Sequence, residues 1–252
     1  MRKPLIIANW KSNPLTLKEA VVLARSAEKY SKIFRGAGVV VAPPFLFISA
    51  VSKILRQAKL GAQDVFWAEG PYTGEISLRQ LKNLGVRYVI VGHSSLRMTL
   101  GETDEMVNKK IKAILGGGLS AVLCVGEWKR KGDRIPALVG AQLKNSLKGV
   151  KKSQLERVVV AYEPVWAIST MPGAQVDTPQ SAVRALRYLR GILSRMYGKK
   201  YADKVKMLYG GSVSAKNARQ FLILPGVDGA LVGGASLRPQ EFGEIISQAS
   251  AF

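Results

Sequence analysis

A glutamate, Glu163, closes a strand-like apolar run at 158–162 and is followed by Pro164-Val165-Trp166-Ala167-Ile168, a proline-stiffened turn of bulky residues. A carboxylate at a buried strand end, beside a loop able to cover it with Trp166 and Ile168, has the desolvated setting of a general base. The same segment fits a strand-end acid that only caps or pairs. His93, the one histidine of the chain, stands in Val91-Gly92-His93-Ser94-Ser95, where Ser94 and Ser95 suit the cap of a short following helix. A helix N-terminus disfavours an imidazolium, so a neutral imidazole there is fitted to donate a hydrogen bond to a carbonyl and to shuttle a proton. A histidine satisfied purely structurally is the alternative reading. With one histidine and one cysteine, Cys124, no His-x-x-x-His metal pair and no zinc cluster can be assembled.

Two glycine pairs, Gly210-Gly211 before Ser212 and Gly233-Gly234, follow late apolar runs. Backbone amides at such places approach a phosphate closely, although a plain tight turn uses the same residues. Asn9 and Lys11 follow the first apolar run, and a lysine immediately after a buried strand places a positive charge where strand ends open.

These residues need elements to bring them together. Short β-branched runs at 5–8, 39–42, 60–63, 88–91, 121–125, 158–162, 205–208 and 229–232 alternate with helix-like stretches at 17–33, 45–57, 77–84, 102–115, 138–147, 179–197, 215–222 and 239–249. Near-continuous apolar strands alternating with helices predict a parallel sheet covered by helices. Eight such units in 252 residues predict one α/β domain, 1–252, closed as a (β/α)8 barrel of the TIM type, parallel strands inside and helices outside. The Gly-x-Gly-x-x-Gly of a dinucleotide-binding sheet does not follow an early strand. In such a barrel the C-terminal strand ends share one face, which gathers Asn9, Lys11, Gln63, His93, Glu127, Glu163 and the two glycine pairs.

Composition sets the remaining bounds. A single cysteine within an apolar run reads as a buried inert thiol and excludes an intrachain disulfide. No apolar run approaches membrane-spanning length, and the N-terminal run is broken by Asn9 and Lys11 before it reaches that of a signal peptide, so a cytoplasmic protein without a membrane partner is expected. The 38 Lys and Arg against 17 Asp and Glu give a formal charge of +21, which attracts phosphates, nucleic acid or anionic surfaces. Apart from Arg184, Arg187 and Arg190 on one helical face and the short runs 129–131 and 151–152, the basic residues are spread along the chain, and no nucleic-acid-binding signature accompanies them, so nucleic acid is not expected as a specific partner.

Eight ordered segments, Ala8-Asn9-Trp10-Lys11, Gly61-Ala62-Gln63-Asp64, Tyr72-Thr73-Gly74-Glu75, Val91-Gly92-His93-Ser94, Cys124-Val125-Gly126-Glu127, residues 163–168, Tyr209-Gly210-Gly211-Ser212-Val213 and residues 228–237, give the chain a resemblance along its whole length to the triosephosphate isomerase family. The resemblance implies an aldose-ketose isomerisation in glycolysis and gluconeogenesis, dihydroxyacetone phosphate to D-glyceraldehyde 3-phosphate through an enediolate, with no metal or organic cofactor. The roles it carries over belong to the family: Glu163 as the proton-abstracting base, His93 and Asn9 as donors to the substrate oxygens, and Lys11 as electrostatic support. The amides of Ser169, Ser212, Gly233 and Gly234 would hold the phosphate, and Pro164, Val165, Trp166, Ala167 and Ile168 would form a closing lid, with Ile168 and Leu231 clamped over the base. It also implies a homodimer in which a loop tipped by Thr73-Gly74-Glu75 enters the partner's site.

Two departures from the family pattern stand out. Its His-Ser-Glu-Arg is His93-Ser94-Ser95-Leu96 here, so Ser95 replaces a carboxylate that neighbours the site lysine and should leave the site more cationic. Its Gly-Thr-Gly-Lys after the lid isoleucine becomes Ser169-Thr170-Met171-Pro172-Gly173-Ala174, in a segment two residues longer, which changes the backbone freedom of the hinge. The rival reading is a catalytically weakened barrel relative that binds sugar phosphates or nucleic acid through its basic surface; a different sugar-phosphate isomerase is a further one.

Overall fold

The apolar runs become strands because each is buried on both faces, inward against the other strands and outward against helices. The computed structural model describes residues 3–168 and 173–251. Strands β1 (Leu5–Asn9), β2 (Gly38–Ala42), β3 (Lys59–Ala62), β4 (Tyr88–Val91), β5 (Ser120–Val125), β6 (Val158–Tyr162), β7 (Lys206–Tyr209) and β8 (Gly229–Val232) form a closed barrel in sequence order. Every pairing is parallel, and β8 returns to β1 with Leu5 opposite Gly229 and Ala8 opposite Val232. This is the expected (β/α)8 architecture, with helices between the strands.

Strand periodicity sorts each run into two sets. Leu5, Ile7, Val40, Ala42, Ile90, Val122, Cys124, Val159, Ala161, Leu208 and Leu231 pack together as one buried cluster. Their neighbours Ile6, Ala8, Val39, Val41, Val89, Val91, Leu123, Val160, Met207 and Val232 belong to the larger cluster that includes the helix residues. The smaller set fills the barrel interior. Two residues beyond its members, the same parity reaches Asn9 after Ile7, Glu163 after Ala161, Gly210 after Leu208 and Gly233 after Leu231. Alternation that packs the interior therefore also aims these positions at the mouth of the barrel.

Helix starts follow local chemistry. Thr16 and Glu19 form a capping box ahead of Leu17–Ile33, with Glu19 N donating to Thr16 Oγ1 at 3.2 Å and Thr16 N to Glu19 Oε2 at 3.1 Å. Thr178 caps Pro179–Tyr197, whose proline occupies the first turn, where its missing N–H costs nothing. Two expected helices are shorter. The stretch 45–57 gives a 3-10 turn, Phe45–Phe47, and a helix, Ile48–Ser52, because the N–H groups of Arg56, Gln57 and Ala58 are taken by the Glu28 carboxylate at 3.0–3.1 Å. The helix expected from 215 starts at Ala218, since Ser214 N donates instead to Asn217 Oδ1 at 2.8 Å. Among the described residues no helix is long and apolar enough to cross a membrane.

Candidate active site

Glu163 is fixed first through its backbone. Its N–H donates to Val125 O at 2.8 Å, and the β6 end lies so close to Gly126 that a Cβ there would sit 1.7 Å from Glu163 O. Only glycine allows that approach. The side chain is 3% exposed; Oε2 accepts from Ser94 N at 3.0 Å and Oε1 lies 3.2 Å from His93 Nε2. Gly210 leaves room for it, since a Cβ there would stand 3.0 Å from Glu163 Cγ. Cys124, on the inward face below, is buried, and that burial, with the Glu163 carboxylate beside it, pushes its thiol well up from the ordinary range.

His93 is itself the N-cap of the helix Ser94–Thr99, its Nδ1 accepting from Ser95 N at 3.2 Å. That corrects the expectation that Ser94 and Ser95 supply the cap: the Ser94 N–H is committed to Glu163, and the side chain before the helix reaches its second amide. An N–H directed at Nδ1 leaves the proton on Nε2, the nitrogen facing Glu163, so the bonding pattern assigns a neutral imidazole that donates from Nε2. Arg97 braces this turn, its Nε donating to Gly92 O at 2.8 Å and its Nη1 pairing with Asp104 Oδ1 at 2.7 Å.

Lys11 occupies a left-handed backbone conformation, φ 54°, uncommon for a residue with a side chain. Its N–H donates to Asn9 Oδ1 at 3.1 Å, and Gln63 Nε2 donates to Lys11 O at 2.8 Å and to Ala42 O at 3.0 Å. Two polar contacts thus hold a strained residue in place, and Gln63, expected at the strand-end face and itself tied to Ala42, works from beneath Lys11. A Cβ on Gly233 would lie 3.6 Å from Lys11 Cε and 3.8 Å from Nζ, so the lysine runs alongside the glycine pair.

A pocket of about 460 Å³ opens between these groups. Asn9, Lys11, His93 and Glu163 line it, and so do Ser212, Gly233, Gly234, Ile168 and Leu231. Gly233 precedes the 3-10 turn Gly234–Leu237, whose first N–H groups have no partner within the turn and are placed to meet an anion. Asn217 and Arg238 also line the pocket without having been anticipated; Arg238 is four residues past Gly234, a spacing that carries it back over that short turn. Ser169, expected among the phosphate ligands, lies outside the described residues. Among the described residues no three His, Cys, Asp or Glu side chains cluster in a way that would hold a metal.

Glu127, also expected at the strand-end face, belongs to a buried network beside the pocket. Its Oε1 accepts from Arg130 Nε at 2.9 Å, Tyr162 OH at 2.8 Å and Trp166 Nε1 at 3.0 Å. Arg130 also binds Tyr162 OH and Ser181 Oγ and lies over the Trp166 ring. Trp166 is therefore turned towards Glu127, while Ile168 and Leu231 border the pocket. The segment expected to open the lid has further ties: Pro164 leads into the 3-10 turn Val165–Ala167, Val165 N donates to Glu127 O at 3.0 Å, and Ser212 Oγ donates to Ala167 O at 2.7 Å. Beyond the lid, Asp177 accepts from Tyr209 OH at 3.2 Å. Burial pushes both phenols, Tyr162 and Tyr209, upward, and the neighbouring carboxylates add to the effect. Thr73, Gly74 and Glu75 form an exposed tip far along the chain from these residues.

Fold and pocket define the class: a (β/α)8-barrel enzyme with its polar pocket at the C-terminal ends of the strands. The family model described as triosephosphate isomerase matches residues 4–249, and the chain belongs to this family of isomerases. It is 44% identical to the triosephosphate isomerase of Thermoanaerobacter sp. (strain X514) over 252 residues, covering 98% of this chain and 100% of the relative. Identity is 42% with the triosephosphate isomerase of Dictyoglomus thermophilum over 98% of this chain and 99% of that protein. It is 42% again with that of Carboxydothermus hydrogenoformans, over 98% of each.

Proposed function

We propose that the protein interconverts dihydroxyacetone phosphate and D-glyceraldehyde 3-phosphate by proton transfer through an enediolate. The observation that carries this reading is the meeting of Glu163 Oε1 and His93 Nε2 at 3.2 Å in a pocket also lined by Lys11. Glu163 removes the carbon-bound proton, exchanging its present bond from Ser94 N–H for the substrate carbon. His93, through Nε2–H, and Asn9 donate to the substrate oxygens where negative charge develops, and Lys11 stabilises that charge across the pocket. Backbone amides of Ser212, Gly233 and Gly234, joined by Ser169, bind the phosphate. Phosphate binding then draws the lid, 164–168, over the site, and Ile168 and Leu231 exclude water from the enediolate, which protects it from losing phosphate.

The working unit of this reading is a homodimer acting in the cytoplasm, where glycolysis and gluconeogenesis run. Exposed apolar side chains on the loops after the first four strands, Leu15, Phe45, Leu46, Tyr72, Met98 and Leu100, together with the tip Thr73-Gly74-Glu75, supply a surface suited to a second copy. A coupled isomerase assay tests the reaction: Glu163→Gln should cut kcat by about 10³-fold, and a variant retaining full activity would overturn the assignment. Light scattering should give the mass of two chains; the mass of one would sink the dimer.

A further inference from the structure

Ser95 makes a contact that the carboxylate usual at its place could not make in the same sense. Its Oγ lies 2.8 Å from His93 Nδ1, while its own backbone N–H approaches the same nitrogen at 3.2 Å. Nδ1 has a single in-plane lone pair when bare and none when protonated. Were it protonated, its hydrogen would be directed at the hydroxyl while the Ser95 N–H pointed at a nitrogen with nothing to accept it. The arrangement that satisfies both donors has Nδ1 bare, the hydroxyl hydrogen turned onto it, and the imidazole proton on Nε2. An ionised glutamate is acceptor-only and offers no such hydrogen. No contact joins Ser95 to Lys11, so the replacement exchanges a carboxylate for a donor on the far side of the imidazole ring.

We propose that Ser95 is a positioning residue: its hydroxyl donates a second hydrogen bond to His93 Nδ1, reinforces the Nε2–H tautomer that the Ser95 backbone N–H already favours, and makes that N–H a stronger donor to the substrate oxygen. The physical basis is polarisation. A hydrogen bond received at Nδ1 draws electron density from the ring, and in a chain of hydrogen bonds each strengthens the next. It also steadies the ring when Nε2 shares its proton with a developing oxyanion. The imidazole is buried, at 9% exposure, so this pull is not diluted by solvent as it would be on a free surface. Ser95 itself is exposed, and removal of its hydroxyl leaves no cavity in the core.

The inference rests on the proposed role of His93, and the test separates the two. His93 is the only histidine, so protein labelled with 15N-histidine gives one pair of ring resonances. In the unmodified protein Nδ1 should resonate as a non-protonated nitrogen accepting hydrogen bonds, and Nε2 as a protonated one. Ser95→Ala should move the Nδ1 resonance towards that of a nitrogen with fewer donors and lower kcat about 5- to 10-fold, the loss of one hydrogen bond, with KM within about twofold. Ser95→Thr, which keeps the hydroxyl, should restore both readouts. A protonated Nδ1 in the unmodified protein, or a Ser95→Ala variant with unchanged Nδ1 resonance and kcat, would overturn the proposal. His93→Gln serves as the control for the reading beneath it: full activity there would remove the role of His93, whereas an inactive His93→Gln beside a silent Ser95→Ala would sink the role of Ser95 alone.

Discussion

Gln63 holds Lys11 from below: its amide donates at 2.8 Å to the carbonyl of a residue whose φ is 54°. A strained backbone persists only where its surroundings over-determine it, and here the same amide also binds Ala42 O at 3.0 Å, tying Lys11 to the β2 end. Gln63→Leu should therefore release Lys11 without touching the pocket. The expected result is a fall in kcat/KM of about 10-fold, with a loss of stability of about 1–3 kcal/mol, chiefly from the Lys11 carbonyl left without this donor, since Ala42 O keeps its bond from Trp10 N–H. Steady-state kinetics and denaturant unfolding measure both; unchanged kinetics would show that Lys11 keeps its place unaided.

Two glycines near Glu163 should respond in opposite ways. Gly126→Ala puts a methyl 1.7 Å from Glu163 O, against backbone that cannot yield, and should destabilise the barrel by about 4 kcal/mol or more. Gly210→Ala meets the Glu163 side chain at Cγ, 3.0 Å, and the Tyr162 backbone carbonyl at 3.1 Å, milder contacts that a shift of a few tenths of an ångström, chiefly of the Glu163 side chain, would relieve. It should fold and lose about 10- to 100-fold in kcat through a displaced base. Chemical denaturation beside the isomerase assay distinguishes them.

Trp166→Phe removes one of three donors from Glu127 Oε1 and loosens the anchored start of the lid. The expected signature is a several-fold drop in kcat with little loss of stability, about 1 kcal/mol, and an altered dependence of kcat/KM on solvent viscosity. Identical viscosity slopes in the two proteins would deny the Trp166–Glu127 bond a part in lid motion.

Ser95→Glu would put a carboxylate beside His93, adding negative charge near a pocket that Lys11 and Arg238 line. Phosphate affinity should fall, raising KM about 3- to 10-fold at low ionic strength, with the effect shrinking as salt screens the added charge. A KM that does not move at any ionic strength would show that this position has no electrostatic reach into the pocket.

Glu28 links stability to pH. Burial pushes its carboxyl up, but the N–H groups of Arg56, Gln57 and Ala58, with Lys32 at 3.3 Å, outweigh that and hold it below its ordinary 4.5. A lowered folded value means the ionised form is the one that stabilises, fully above about 4.5 and progressively less as pH falls through the lower folded value. Glu28→Gln should thus cost about 2 kcal/mol or more at pH 7, and the gap to the unmodified protein should narrow below the ordinary range. A gap that stays constant from neutral to acid pH would contradict the role given to the charge.

Much of this molecule was legible in its residues. Near-continuous apolar runs such as 158–162 mark the strands, and their ends name Asn9 and Glu163 as candidates for the mouth, because a strand buried on both faces needs apolar side chains throughout. The start of the long helix at Pro179 was equally local. The helix expected at 45–57 was not, since its end is set by Glu28, a carboxylate on another element.

Only tertiary structure decided which strand-end residues share the pocket. Glu127 and Glu163 look alike in sequence, each an acid at the end of an apolar run. Glu163 turns into the barrel mouth because Gly126 and Gly210 leave it space, while Glu127 is captured by Arg130, Tyr162 and Trp166. Of the basic residues spread along the chain, Lys3, Lys59 and Arg87 stand exposed at the N-terminal strand ends, the face away from Lys11. Sequence determines what each segment can form through interactions a few residues in range. The orientation of a carboxylate depends on atoms brought beside it from distant segments, and those meet only when the barrel closes.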